Sequence, residues 1–436
     1  MGLKNDKKVI RAWAMFDWAN SAYNLVITST IFPAYYTIIT QTPENGDKVY
    51  FFGLRFVNTA LSNYALAVAY LIIVLLSPVL SSAADHKGNK KIYMKLFTLL
   101  GSLSCCGLYF FKLDTLELGI ICFALAAVGY AGGFVFYNSY LPEIASLDKQ
   151  DAVSAKGFTY GYVGSVLLQM ICFLFVLKPE WFGINDLSFP PRLSFLLVGI
   201  WWLVFAQIPF YFLPKGSPNY NPEEQKKVSN GFAELKKVWL QVKKMVVLKR
   251  FLVAFFFYSM GVQTVMLVAA SFGEKILHLP TESLIVVILI IQLVAILGAN
   301  LMSKLSRTHG NVQVLIIVVF IWILVCIAAY FVYTANMFYA LAAVVGLVMG
   351  GIQSLSRSTY SKYIPEGTAD TTSFFSFYDV TEKLAIVAGL ASFAYVEELT
   401  GNMRSSIIAL TSYFILGLVF LLLLRKVSPK FVATEL

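Results

Sequence analysis

The chain has 436 residues, of which 58% are hydrophobic and 13% charged, with a formal net charge of +10. That balance excludes an ordinary soluble domain and indicates an all-α integral membrane protein of many spans. The positive excess does not mark a nucleic-acid binder, because it collects in loops on one side of the apolar runs.

Cofactor chemistry finds no support either. The five cysteines (Cys105, Cys106, Cys122, Cys172, Cys326) lie in apolar runs without metal or redox spacing and read as small core residues. His86, His278 and His309 are scattered among loops, and no glycine-rich Lys-Ser/Thr loop is present to cradle a phosphate. No metal, cofactor or ATP is therefore expected. A signal peptide is not expected, since the first apolar run is too long, contains Asp17 and lacks a small-residue cleavage site.

A window of roughly 19 residues finds about twelve spans. They lie near 12–39, 60–81, 93–112, 117–139, 157–177, 193–213, 251–272, 283–302, 312–333, 337–358, 373–396 and 404–424. Each should be helical, because a backbone in lipid must satisfy its own hydrogen bonds.

The first span contains a polar stripe. Asp17, Asn20, Ser21 and Asn24 fall at i, i+3, i+4 and i+7 and share a helical face. An aspartate deep in a membrane helix costs about 2.5–3.5 kcal/mol. Two readings remain: the stripe lines a watery cavity, or it joins helices while Asp17 snorkels from the helix end. In span four, Gly129 and Gly133 have the small-xxx-small spacing of close helix packing. Tyr130, Tyr137 and Asn138 of that span are candidates to line a cavity. Span ten offers Gln353 and Arg357 at i, i+4. The arginine fork suits a substrate carboxylate, or it marks the cytoplasmic end of the helix. Span eleven carries Asp379, Glu382 and Lys383. Asp379 and Lys383 can pair within the helix, while Glu382 points elsewhere and leaves a carboxylate over. That spare group, or Asp17, is a candidate proton site. Gln263 and Gln292 are weaker candidates to line a cavity, or they only bond neighbouring helices.

Most of the 34 Lys and Arg residues gather at the N-terminus, the second–third loop, the central loop and the C-terminal tail. This places both termini in the cytoplasm. Residues 214–250 are the longest connection and divide the chain into six-span halves, 1–213 and 251–436. Within it Phe232, Leu235, Trp239, Val242 and Val246 recur at helical spacing among lysines, as in an amphipathic helix lying on a membrane surface. The halves look repeated: Tyr140-Leu141-Pro142-Glu143 returns as Tyr363-Ile364-Pro365-Glu366, and Gly88-Asn89 as Gly310-Asn311. Parallel six-helix halves around a midplane site are a transporter architecture.

Asp85-His86-Lys87-Gly88-Asn89-Lys90-Lys91 resembles the loop signature of the major facilitator superfamily, Gly-x-x-x-Asp-Arg/Lys-x-Gly followed by basic residues. Asp85, Gly88, Lys90 and Lys91 match as gating-loop residues, whereas Ser81, His86 and Asn89 depart from the pattern. Three further stretches resemble the vacuole-effluxer-like branch, the autophagy-related amino-acid effluxers and their bacterial relatives. They are Phe16-Asp17-Trp18-Ala19-Asn20-Ser21-Ala22, Gly350-Gly351-Ile352-Gln353-Ser354-Leu355-Ser356-Arg357-Ser358, and Phe374-Phe375-Ser376-Phe377-Tyr378 with Lys383.

The resemblance implies a major facilitator fold and an exported, amino-acid-like solute. The expected protein is a transporter rather than an enzyme, moving a small polar solute, an amino acid or short peptide, by alternating access. Its partners would be the solute, membrane lipids and a proton as candidate coupling ion. A bacterial inner membrane and a vacuolar or other organelle membrane fit equally. Two alternatives stay open. A cation-coupled sugar transporter of the melibiose type also carries an Asp in span one, but spans two and four here hold no clear intramembrane acid. A non-transporting sensor or scaffold would bind without flux.

Overall fold

The computed structural model describes residues 4–41, 46–215 and 231–427, with side chains for all of these but 231–235 and 281–282. All twelve expected spans are helical. The first is α1 (Lys7–Ala22), a π-helical stretch Tyr23–Ile31 and α2 (Phe32–Thr40) in one continuous run. Then come α3 (Asn58–Lys87), α4 (Lys90–Gly107), α5 (Leu116–Asn138), the short α6 (Leu141–Ile144), α7 (Gln150–Leu177), α8 (Phe189–Phe205) and α9 (Gln207–Phe212). After α10 (Gly231–Lys244) follow α11 (Val246–Leu277), α12 (Thr281–His309), α13 (Asn311–Tyr330), α14 (Ala335–Tyr363), α15 (Thr371–Thr400) and α16 (Met403–Arg425).

Among the described residues, ten helices are long and apolar enough to cross a membrane. The two spans outside that count are the first and the eleventh. The π stretch breaks the first into short α segments, and Asp379, Glu382 and Lys383 lower the hydropathy of α15. Leu71, Leu103, Leu293 and Leu297 are exposed on the helix surfaces, as lipid-facing side chains of a multi-pass protein must be.

Two local features escaped the sequence pattern. Lys48–Phe51 (β1) and Leu54–Val57 (β2) form an antiparallel ribbon with Lys48 opposite Val57. Phe52 and Gly53 at its turn have φ of 47° and 80°. Positive φ at both positions is the type I′ geometry that matches strand twist, and Phe at the first position gives no sequence signal for it. The second is the π stretch. Pro33 sits in the first turn of α2, where it lacks an N–H and its ring would crowd the carbonyl four residues back. The wider π turn before it relieves that crowding. Ser29 and Thr30 hydroxyls donate to the Asn24 and Leu25 carbonyls, five residues back, at 2.8 Å each.

The chain forms two compact units. One comprises the described parts of Met1–Ile10, Asn138–Tyr162 and Phe232–Leu436. It joins α6 and the first part of α7, from the first half of the sequence, to α10–α16. The other comprises Arg11–Tyr137 and the described part of Val163–Gly231. In the first unit Trp322 stacks on Phe414 at 5.5 Å and Phe255 on Tyr378 at 4.3 Å. In the second, Phe32 stacks on Phe123 at 3.9 Å.

Helix α10 is amphipathic, as its spacing implies. Val238 and Val242 are buried in the core of the first unit, and Trp239 stacks on Phe377 of α15 at 6.0 Å. Lys237 pairs with Asp370 at 3.3 Å, and both side chains are partly exposed. Such a pair contributes about 0–1 kcal/mol, so Lys237→Ala is expected to move the melting temperature by no more than a few degrees. The side chains of Phe232 and Leu235 lie outside the described residues.

Candidate functional site

In the first unit the C-terminal half of α14 is almost wholly buried, and Arg357 is 2% exposed. Its Nε donates to Ser154 Oγ at 3.0 Å and Nη2 to the Ser154 carbonyl at 2.8 Å. Nη1 donates to Asn138 Oδ1 at 3.2 Å, and the guanidinium lies 4.2 Å from the Phe158 ring centre. The expected residues Asn138 and Arg357 are thus in direct contact, beside Ser154, which the sequence did not single out. One turn away, Gln353 Oε1 accepts from Tyr162 at 2.6 Å. The planar fork donates to neutral oxygens of Ser154 and Asn138 and lies against the Phe158 ring, among its contacts.

Helix α15 supplies a second cluster in the same unit. Lys383 Nζ lies 3.2 Å from Asp379 Oδ1 and 3.5 Å from Glu382 Oε2. Glu382 does not point elsewhere as its position beside Lys383 suggested. The long lysine stem lets the ammonium swing between both carboxylates. Glu382 Oε1 also accepts from Gln263 Nε2 at 2.9 Å, which assigns that glutamine a place in the cluster. Asp379 Oδ2 is buried without a hydrogen-bond partner. Two carboxylates against one ammonium leave one negative charge in excess when all are ionised.

A third group was missed by sequence reasoning. Lys362 Nζ lies 2.6 Å from Asp151 Oδ2, with both side chains almost fully buried. Asn311 donates to Asp151 Oδ1 at 2.7 Å and accepts from Lys362 at 3.0 Å. Ser306 donates to Asp151 Oδ2 at 3.1 Å. The repeated Gly310-Asn311 was the available signal. Lys362 was hidden among the many basic residues that orientation alone explains.

In the second unit Asp17 is 1% exposed, and its Oδ2 accepts from Tyr137 at 2.6 Å. Trp13 and Phe16 stack on that tyrosine at 4.4 and 4.9 Å, and Trp13 Nε1 donates to its carbonyl at 3.0 Å. Asn20 is fully buried, and neither end of its amide has a hydrogen-bond partner. Asn24 is half-buried. The α-helical spacing that aligned it with Asp17 ends at Ala22, where the π stretch begins. The α3–α4 loop is a two-residue turn, Gly88-Asn89, with Gly88 at φ 58°. That left-handed value explains a glycine there. Asp85 is half-buried, Lys90 is buried, and Lys91 donates to the Phe210 carbonyl at 3.0 Å.

Two solved transporters share the fold of this chain. The human organic anion transporter MFSD10 (TETRAN) has a TM-score of 0.72 at 11% identity, covering 95% of this chain and 99% of that one. The proton:xylose symporter XylE has a TM-score of 0.72 at 14% identity, covering 98% and 97%. At such identities the likeness concerns the fold, and the fold is that of the major facilitator superfamily, whose members transport solutes by alternating access.

The family model described as vacuole effluxer Atg22 like matches residues 5–429, and the chain belongs to that family. It is 31% identical over 420 residues to the uncharacterized MFS-type transporter YxiO of Bacillus subtilis (strain 168), covering 96% of this chain and 95% of that protein. It is 23% identical to autophagy-related protein 22 of Gibberella zeae, covering 84% and 68%. The protein is thus a multi-pass membrane transporter, not an enzyme.

Proposed function

We propose that this transporter exports an amino acid or short peptide, with a proton as its coupling ion. The observation that carries the reading is Arg357. Its buried fork donates to Ser154 and Asn138, and a planar guanidinium is the side chain best matched to a substrate carboxylate. The family's description as an effluxer supports the direction. Asp17, Asn20, Asn24 and Gln353 would complete the solute path. Asp379, Glu382 and Lys383, or Asp17, would carry the proton. The charged loop holding Asp85, Gly88, Lys90 and Lys91 would gate, and both termini would face the cytoplasm. The moving bodies would be six-helix halves, 1–213 and 251–436, joined through 214–250.

The test is flux of labelled amino acids and sugars in proteoliposomes, with and without an imposed pH gradient. Gradient-driven amino-acid flux is expected, reduced at least roughly tenfold in Asp17→Asn. Arg357→Lys is expected to raise KM about tenfold or more, because an ammonium cannot reproduce the bidentate fork. Flux of sugars alone would overturn the substrate assignment, and flux indifferent to the gradient would overturn the coupling.

A further inference from the structure

The connection between the first two spans ends in an exposed apolar tip. Strands β1 and β2 lie in that connection, and their turn carries Phe52. Phe52 is 68% exposed, Leu54 65% and Tyr50 59%. Val49, next to Tyr50, is buried instead, so the ribbon has an inner and an outer side. Backbone geometry does not explain the phenylalanine. Its φ of 47° suits asparagine or glycine, and a bulky side chain is disfavoured there. Nor does exposure to water favour three large apolar side chains so close together.

The base of the ribbon is tied to both spans. Asn58 N–H donates to the Asp47 carbonyl at 2.8 Å, and Asn58 Nδ2 donates to Thr40 Oγ1 at 2.9 Å. The Tyr36 hydroxyl donates to the Asn58 carbonyl at 2.8 Å. These bonds join the end of α2 to the start of α3 and hold the ribbon at the boundary of the membrane. Its turn is held too, because Phe52 N–H donates to Glu117 Oε1 at 3.4 Å, in the first turn of α5. Leu118, Ile121 and Leu125 follow on α5 at i, i+3 and i+7, and all three are exposed. Exposed leucine and isoleucine in that register on a spanning helix form a lipid-facing stripe. The tip is thus continuous with a surface that hydrocarbon covers.

The outer side of the ribbon has the chemistry of a membrane interface. Tyr50 stands directly opposite Arg55, and both are exposed. Arg55 makes no ion pair among the described residues. A tyrosine ring and a guanidinium suit the headgroup level, and Phe52 and Leu54 suit the acyl chains just below it. We propose that the ribbon tip inserts into the adjacent leaflet and binds a phospholipid surface, with Arg55 on the phosphates and Phe52 and Leu54 among the acyl chains. Insertion anchors the end of span one, the span that carries Asp17 and the π stretch.

The experiment places a nitroxide at Phe52→Cys in the full chain, with its five cysteines replaced by alanine, in vesicles of phosphatidylethanolamine and phosphatidylglycerol. Collision with oxygen, which partitions into hydrocarbon, is compared with collision with a water-soluble nickel chelate. Leu71→Cys on α3 is the lipid reference, and Lys149→Cys, exposed just before α7, is the water reference. The oxygen-to-nickel ratio at position 52 is expected to exceed that at position 149 by about threefold or more, and Arg55→Glu should lower it toward the water value. A second measurement keeps the native cysteines. Phe52→Trp in the otherwise unmodified chain should add fluorescence that lipids brominated high on the acyl chain quench. A ratio at position 52 equal to that at position 149, with no quenching of the added tryptophan, would overturn the proposal. So would protection from both reagents with spin–spin broadening, the sign of a second copy seated on the tip. Neither measurement depends on which solute is carried.

Discussion

Lys362→Met is expected to destabilise the protein by about 3 kcal/mol, read as a lower melting temperature in detergent. Asp151 is 3% exposed and its Oδ2 lies 2.6 Å from the lysine ammonium. Removing one partner of a buried pair leaves the other charge without compensation, which costs about 3–5 kcal/mol. The lower end applies because Asn311 and Ser306 continue to donate to the carboxylate. The double variant Asp151→Leu/Lys362→Met should recover much of the loss, since well-packed apolar replacements of a buried pair are often neutral. If the two single losses simply add in the double variant, the pair is not coupled and the argument fails.

Gly350→Val is expected to abolish recovery of folded protein. Helices α12 and α14 cross so closely that no Cβ fits between their backbones. A Cβ on Gly350 would lie 2.1 Å from the Ala295 carbonyl oxygen, and one on Gly298 would lie 2.0 Å from that of Leu347. Gly346, one turn before Gly350, meets the Ile291 carbonyl at 2.5 Å in the same way. These obstacles are backbone atoms, so no rotamer change relieves them and the helices must separate. Overpacking a core costs about 1–3 kcal/mol where side chains can shift, and more is expected here. Gly133→Ala is the control. Its Cβ would meet the end of the Phe16 ring at 3.3 Å and the Phe97 Cβ at an ordinary 3.9 Å, and a loss within about 1 kcal/mol is expected. Size-exclusion profiles and melting curves distinguish the two. A monodisperse, normally melting Gly350→Val protein would show that the helices can move apart at little cost.

The same glycines mark the reach of sequence reasoning. Gly129 and Gly133 have the small-xxx-small spacing, and Gly129 does pack against the Gly101 backbone, at 2.5 Å from a built Cβ to Cα. Gly133 instead faces Phe16. Gly346 and Gly350 have the same spacing and make the tighter crossing. Spacing places two residues on one helix face but does not say which helix comes to meet that face. Among candidate site residues the pattern repeats. Asp379 and Lys383 were legible as a pair because i, i+4 neighbours meet on any helix. The partners of Asp17 and Arg357 were not, because Tyr137 lies 120 residues from the first and Ser154 lies 203 from the second.

Composition and hydropathy by themselves determined the class of molecule, the twelve helical spans and the polar residues inside them. Lipid imposes those outcomes locally, by requiring apolar side chains and internally bonded backbone along each segment. Motif resemblance also reached the family. Tertiary structure alone decided which polar groups meet. It joined Asp151 to Lys362 and placed Arg357 beside Asn138 and Ser154. These depend on how helices distant in sequence approach and rotate against one another, and local periodicity carries no record of that.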